Sequence, residues 1–203
     1  MIRRLVFAAA LALAAPSLYA TTYTIEPDYT QGVFRWSHLG FSNPAAQVSQ
    51  GQGTLEFDSA HPTRASVSVT IPLSTLNTGV PALDEHLRSE DFFEVAKFPT
   101  ATFRSTKVEQ GAGKDRLKVT GELNLHGVTK PVTLDVIVLK VGSNPRTDLP
   151  TVGFEATTTL KRSDFGLGAF VPQVSDEIKL QLTSQGVEAQ GYAEYLKKQQ
   201  EKK

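Results

Sequence analysis

The side chains best suited to bind metal or transfer protons are four histidines, His38, His61, His86 and His126. No two of them have the short spacing typical of zinc ligands, and no HExxH pattern occurs. Asp84 and His86 lie two residues apart on a predicted helix, so their side chains face different directions. We therefore expect no metal and no cofactor, although a site assembled only in space stays open.

Nucleophilic catalysis also lacks its usual residues. The chain has no cysteine and no G-x-S-x-G sequence. The acidic pairs Glu90-Asp91 and Asp176-Glu177 precede apolar residues, where helix capping and protection of a sheet edge explain them. Basic and acidic residues each number 21, so no basic field favours nucleic acid. These patterns are typical of a protein that is not an enzyme.

Alternation of apolar and polar residues predicts about eight antiparallel strands with one buried face. Val67, Val69 and Ile71, for example, alternate with serines and a threonine. A closed barrel and a stacked sandwich share this alternation, so periodicity alone does not separate them. The predicted strands lie at 32–38, 47–58, 66–71, 100–109, 117–125, 132–139, 154–160 and 178–182.

One helical region interrupts the strands. Pro81 suits a first helical turn, and Leu83 and Leu87 share one face, so we expect a short helix within 78–97. The polar tail after Gly186 is either a short helix or, as its composition favours, a frayed and solvated segment.

The amino terminus is typical of a secretory signal. Arg3 and Arg4 precede the apolar segment Leu5–Ala15, which is too short to span a bilayer, and Ala20 offers a small residue for cleavage. A retained amphipathic anchor is the less favoured alternative. The predicted organisation is a signal peptide at 1–20, one domain at 21–187 and a polar tail at 188–203, with the processed protein in the periplasm.

Several long segments resemble the YceI family, the polyisoprenoid-binding-like proteins of bacterial periplasms. The first is LDEHLRSEDFFEVAKFPTATFRST from Leu83, followed by VTGELNLHGVTKPV from Val119. The similarity resumes at 153–159, 161–167 and 174–177, and it covers roughly Tyr23 to Thr183. One departure is Glu26–Thr30, where many relatives have an acid-proline-small-His-Ser sequence and this chain has Tyr29 and Thr30.

The resemblance implies an all-β protein, an extended antiparallel lipocalin-like β-barrel with an apolar interior. It also implies a periplasmic carrier that sequesters a long-chain polyisoprenoid, an isoprenoid quinone or a related lipid. One alternative is an enzyme acting on such a lipid, with His38 or His86 as base; a second is a β-sandwich interaction module without a cavity. Nucleic acid is not an expected partner, while transient membrane contact and a homodimer stay open.

The expected ligand-contacting residues follow from this resemblance and from the apolar, aromatic character of the chain. Arginine pairs well with phosphate, so Arg88, Arg104 and Arg162 are candidates for an anionic head group, although a surface ion pair is the commoner role for each. The predicted ligand-binding residues are Phe34, Trp36, His38, Phe41, Arg88, Phe92, Phe93, Phe103, Arg162, Phe165 and Phe170.

Overall fold

The computed structural model describes residues 20–201, which form ten strands, two α-helices and four short 3₁₀ turns. The predicted signal peptide lies outside these residues, apart from Ala20. The strands are β1 Thr21–Ile25, β2 Gln31–Arg35, β3 Ala45–Ser49, β4 Gln52–Phe57, β5 Ser66–Pro72, β6 Thr100–Gln110, β7 Arg116–Leu125, β8 Val128–Ser143, β9 Pro150–Lys161 and β10 Glu177–Glu188. The helices are α1 Pro81–Arg88 and α2 Ala189–Gln200, and the 3₁₀ turns are Pro27–Tyr29, Pro62–Arg64, Leu73–Thr75 and Arg162–Phe165.

The antiparallel sheet closes on itself because β1 pairs on both sides. Tyr23 of β1 lies opposite Leu55 of β4 and opposite Glu188 of β10. The order around the sheet is β1-β4-β5-β6-β7-β8-β9-β10, and β10 then returns to β1. This closure confirms the predicted barrel and shows that the β-sandwich alternative was wrong.

The two remaining strands extend the barrel toward one end. β2 pairs with Lys179–Thr183 of β10, and β3 pairs with β2, so β2 continues the position of β1 and β3 that of β4. Ten strands therefore fill eight positions. The predicted strand at 47–58 is two strands, because the chain turns at Gln50, which has a left-handed φ of 59°.

Alternation along β7 and β8 separates the inside of the barrel from its outside. Leu117 and Val119 of β7 are buried, as is Leu134 of β8. Between them, Lys118 and Asp135 are exposed and form an ion pair across the two strands, with 2.8 Å between Nζ and Oδ1. The period-two pattern of the sequence is thus the inside–outside pattern of the barrel wall.

The helix α1 lies at the end of the barrel where β2, β7 and β9 finish and β10 begins. We call this end the α1 end. The carboxylate of Asp84 accepts hydrogen bonds from the backbone N–H and the hydroxyl of Thr78, both 2.6 Å long. These bonds lower the pKa of Asp84 below its ordinary value. The helix is shorter than the region 78–97, because Ser89 is extended and the chain continues as turns to Lys97.

The polar tail forms α2 at the opposite end of the barrel, whereas its composition favoured a frayed segment. The Glu188 side chain caps this helix by accepting hydrogen bonds from the backbone N–H groups of Gln190 and Gly191. Tyr192 and Tyr195 stack with ring centroids 6.4 Å apart. Burial, with the nearby charge of Glu26, raises the pKa of Tyr192 to about 12. Within residues 20–201, neither α-helix has the length and apolar character needed to cross a membrane.

Candidate ligand-binding cavity

The barrel encloses a cavity of about 640 Å³ along its inner wall. Leu117, Val119, Leu123 and Leu125 of β7 all line it, so the cavity follows the whole inner face of this strand. The rise from Leu117 to Leu125 is about 26 Å at roughly 3.3 Å per residue. With the usual barrel tilt of about 40°, the cavity extends about 20 Å along the barrel axis. This length suits an elongated ligand.

Nine of the eleven predicted residues line this cavity, and two do not. The nine come from β2, β6, the turns after α1 and the loops after β2 and β9, so the fold brings together residues far apart in the sequence. Trp36 packs beside Phe34, with ring centroids 6.0 Å apart, and is 9% exposed. The nine lining residues are Phe34, Trp36, His38, Phe92, Phe93, Phe103, Arg162, Phe165 and Phe170.

Phe92 and Phe93 both line the cavity, but they have different neighbours. Phe93 packs against two clusters of buried apolar residues, one that includes Leu117 and one that includes Trp36. Its ring meets the Phe34 ring edge-on, with the ring centroids 5.9 Å apart. Phe92 lies nearer the opening, where it contacts His86 at 5.1 Å and stacks on Phe170 at 6.1 Å. Aromatic side chains from α1, the turn that follows it and the loop after β9 therefore meet at one opening of the cavity.

Polar groups line the cavity both at this α1 end and farther inside. His38, His86 and Gln173 are exposed to solvent and also line the cavity. Two other exposed polar lining residues, Gln31 and Ser66, lie farther along the wall, and the less exposed polar lining residues there are Thr30, Thr158, Thr183 and Ser184. An amphiphile with its chain inside the barrel would therefore meet imidazole and amide groups at the opening.

Arg162 is buried, and its guanidinium group is occupied by the protein's own backbone. Nε donates to the carbonyl of Ser175 at 2.9 Å, Nη2 donates to that of Val174 at 3.0 Å, and Nη1 donates to that of Leu167. Burial lowers the pKa of Arg162, while the nearby charge of Asp176 opposes that change. The geometry makes Arg162 an anchor for the loop after β9, rather than a group extended toward a ligand.

Two predicted residues lie elsewhere, and the sequence pattern did not distinguish them. Phe41 is 91% exposed and does not line the cavity, because the loop after β2 directs it into solvent. Arg88 also lies outside the lining, because its guanidinium donates a hydrogen bond to the carbonyl of Leu76. The positive charge of Arg88 also helps to lower the pKa of Asp84. Both residues sit near the opening without contributing to its interior wall.

Two of the four histidines, His61 and His126, do not line the cavity. The Nδ1 of His61 is 2.8 Å from the carboxylate of Asp58, at the end opposite α1. His126 contacts the backbone carbonyl of Phe165 through Nδ1 at 3.1 Å, and its ring meets that of Phe98. Among residues 20–201, no three His, Asp or Glu side chains form a cluster that could hold a metal ion.

Aliphatic side chains make up much of the cavity wall. The predicted ligand-binding residues, which were mainly aromatic, did not include them. The alternation that predicted the strands also marks these residues. In a hollow barrel, the side chains that point inward from the strands are the ones that line the cavity. These residues include Val67, Val69, Leu117, Val119, Val132, Leu134, Val136, Leu180 and Leu182.

Fold and site together define a closed antiparallel barrel with an elongated, largely apolar cavity open at the α1 end. The model of the YceI-like domain matches residues 23–185, and the chain belongs to the YceI family. It is 37% identical to the protein YceI of Escherichia coli O157:H7 over 182 residues, which are 89% of this chain and 94% of that protein.

Solved structures share the same barrel. The YceI protein of Campylobacter jejuni is 28% identical with a TM-score of 0.65, and the match covers 76% of this chain and 90% of that one. A polyisoprenoid-binding domain from Saccharophagus degradans is 17% identical with a TM-score of 0.61, covering 83% of this chain and 99% of that one. At this level of identity, the second likeness shows the fold alone.

Proposed function

We propose that this protein binds one long-chain isoprenoid lipid or a related amphiphile inside the barrel and carries it through the periplasm without altering it chemically. The observation that carries the proposal is the continuous apolar cavity, which follows the inner face of β7 from Leu117 to Leu125. The family resemblance favours a polyisoprenoid or an isoprenoid quinone as the occupant. The predicted signal peptide supports the periplasm as the compartment.

Burial of the chain is enough to supply useful affinity. Each buried CH₂ contributes about 0.8 kcal/mol, so sixteen would contribute about 13 kcal/mol before any cost. Association and ordering of a flexible chain take back several kcal/mol or more. A net value near −8 kcal/mol corresponds to a dissociation constant of about 1 μM. A carrier of this kind therefore needs an apolar interior more than it needs a polar recognition motif.

The head group in this proposal rests at the α1 end, where polar lining residues are exposed to solvent. His38, His86 and Gln173 offer hydrogen-bonding groups there, while the deeper wall is formed mostly by aliphatic and aromatic side chains, with a few polar ones such as Thr30, Thr183 and Ser184. Arg162 is not the head-group ligand in this account, because three backbone carbonyls already accept hydrogen bonds from its guanidinium group. Neutral head groups such as quinones fit this opening better than strongly anionic ones.

The single tryptophan provides the assay. Trp36 lines the cavity and is the only tryptophan in the chain, so its fluorescence reports what occupies the site. Titration with a long-chain isoprenoid quinone should quench this fluorescence to a one-to-one end point. A quinone lacking the long chain should quench far more weakly, because most of the buried CH₂ groups are then missing.

A matched pair of variants separates cavity binding from surface adsorption. Ala101→Phe places a ring in the cavity from β6 and should reduce quinone affinity about tenfold or more, since it removes space that the chain would fill. Ala112→Phe adds the same ring in the exposed turn between β6 and β7 and should leave affinity unchanged. Equal affinities in both variants would overturn the proposal, and recovery of a chemically altered quinone would favour an enzyme instead.

A further inference from the structure

Apolar side chains are exposed on two loops around the opening of the cavity at the α1 end. Phe41 is 91%, Phe170 is 58% and Leu39 is 51% exposed, and Val171 lies beside Phe170. We call these four residues the rim patch. They come from the loop after β2 and the loop after β9. The backbone N–H of Leu39 donates to the carbonyl of Gln173 at 3.0 Å, which holds the two loops together.

The two stretches of chain that carry the rim patch contain no charged residues. Residues 36–55 and 165–175 contain no Asp, Glu, Lys or Arg, although such residues make up 21% of the chain. A surface without ionised groups can enter an apolar medium without the cost of removing charge from water. Elsewhere the outer wall carries charged residues, such as the ion pair of Lys118 with Asp135. The absence of charge is therefore a feature of the two stretches that carry the rim patch.

The backbone of the rim patch also holds unusual conformations. Leu39 has a φ of 55° and Phe170 a φ of 62°, in the left-handed region that large side chains rarely adopt. Such conformations persist where the surrounding structure enforces them, and they cluster at functional positions. Here they accompany large apolar side chains that remain exposed to water.

We propose that the rim patch docks the barrel onto the surface of a zwitterionic lipid bilayer, with the opening of the cavity facing the membrane. Leu39 and Phe170 belong both to the rim patch and to the cavity lining, so the patch is continuous with the apolar interior. An exposed apolar patch of this kind marks an interaction surface. Docking itself does not depend on the proposed function. The proposed function supplies only the reason for docking, which is that a lipid could pass from the bilayer into the cavity without crossing water.

The chemistry of the neighbouring residues selects the kind of lipid surface. Within residues 81–93, which include α1 and Phe92, the exposed charged side chains are Glu85, Glu90 and Asp91, all of which are acidic. His86, which contacts both Phe92 and Phe170, lies 3.6 Å from the carboxylate of Asp91. An anionic membrane would be repelled by these carboxylates, whereas a zwitterionic one would not. Docking should therefore depend on apolar contact and little on salt.

The test measures co-sedimentation of the purified protein with phosphatidylcholine vesicles, with no quinone present. The unsubstituted protein should bind, and Phe41→Asp should lower the partition coefficient about tenfold or more, because one phenyl ring no longer enters the membrane and a charge takes its place. Raising the salt from about 0.05 to about 0.5 M should change binding by less than about twofold. All variants share the same amino terminus, so any contribution from residues 1–20 is common to them.

Leu139→Asp is the matched control, because Leu139 is 54% exposed on β8 and lies outside the rim patch. It should bind vesicles as the unsubstituted protein does. The docking proposal is wrong if the unsubstituted protein does not bind, or if both substitutions reduce binding equally. It is also wrong if the protein forms a dimer that Phe41→Asp dissociates while vesicles are not bound, since a second copy would then cover the patch.

Quinone quenching of Trp36, measured without vesicles, keeps docking and carriage distinct. Phe41 does not line the cavity, so Phe41→Asp should retain quinone affinity while it loses vesicle binding. Vesicle binding without quinone binding would sustain docking and contradict carriage. Quinone binding without vesicle binding would do the reverse.

Discussion

Replacement of Arg162 tests whether this buried arginine holds the loop after β9 or serves the ligand. Its guanidinium donates to the carbonyls of Leu167, Val174 and Ser175, which lie on the loop that carries Phe170. Arg162→Met keeps an apolar side chain of similar length and removes all three donors. We expect the loop to loosen and the folded state to lose stability.

The size of the loss follows from these bonds. A hydrogen bond to a charged group contributes about 1.5–3 kcal/mol, but three bonds to one group are not additive, and water can reach some of the released carbonyls. Removing one partner of a buried ion pair, which leaves the other charge buried and unpaired, typically costs about 3–5 kcal/mol. Since the whole charge is removed here, we expect about 3 kcal/mol. For a chain of this size, that corresponds to a fall in Tm of roughly 6–12 °C.

Thermal unfolding followed by circular dichroism measures the effect. Arg104→Met is the matched control, because Arg104 is exposed on β6 and a surface substitution changes stability by about 0.5 kcal/mol or less. Arg162→Lys should fall between the two, since one ammonium group does not reproduce the planar fork of the guanidinium.

The opposite pattern would refute this account of Arg162. If Arg162→Met unfolded at the same temperature as Arg104→Met but bound a prenyl diphosphate much more weakly, the guanidinium would be a head-group ligand. The hydrogen bonds to the loop would then contribute little to folding.

Three further changes test the fold around the cavity. Asp84→Asn should flatten the acid side of the stability profile. The lowered pKa of Asp84 means that its contribution is full above the ordinary value of 3.8 and is lost as pH falls through the folded-state value; Tm measured from pH 7 to pH 2 checks this, and an unchanged profile would contradict it. Gly121→Ala should lower the free energy of unfolding by about 1–3 kcal/mol, because its Cβ would lie 2.5 Å from the carbonyl oxygen of Arg104 and against the Phe103 ring. Gly142→Ala, with nothing nearer than 4.0 Å, should be nearly neutral in the same urea titration, and equal losses would show that the close approach does not matter. Truncation after Gly191 should lower Tm by only about 2–4 °C, since no residue of α2 is fully buried, and should leave quinone affinity intact; a fall of more than about 10 °C would mean that α2 is integral to the barrel.

Most strands were predictable because their alternation is local, but β1 at Thr21–Ile25 was not predicted. Val119 and Leu134 face inward for the same reason that Lys118 and Asp135 face outward, and that reason is visible in the sequence. The closure of β1 against β10 was not predictable from periodicity, since it joins residues at opposite ends of the chain. The family resemblance, rather than the alternation, favoured the barrel over the sandwich.

The cavity residues were predictable only in part. Phe93 belongs to a long segment that resembles the family, Trp36 was predicted as one of the chain's aromatic residues, and both line the cavity. Phe41 is also aromatic and close in sequence, yet it points into solvent because a loop sets its direction and composition carries no information about that direction. Arg162 is a similar case, since its hydrogen-bond partners follow from the path of a loop and not from any sequence pattern.

Native mass spectrometry of freshly purified protein, followed by lipid extraction, tests the central claim most directly. We predict one bound long-chain isoprenoid lipid per chain, lost on extraction and markedly reduced in Ala101→Phe but not in Ala112→Phe. A protein that carries no such adduct, and whose Trp36 fluorescence does not respond to any long-chain isoprenoid, would contradict the proposed function.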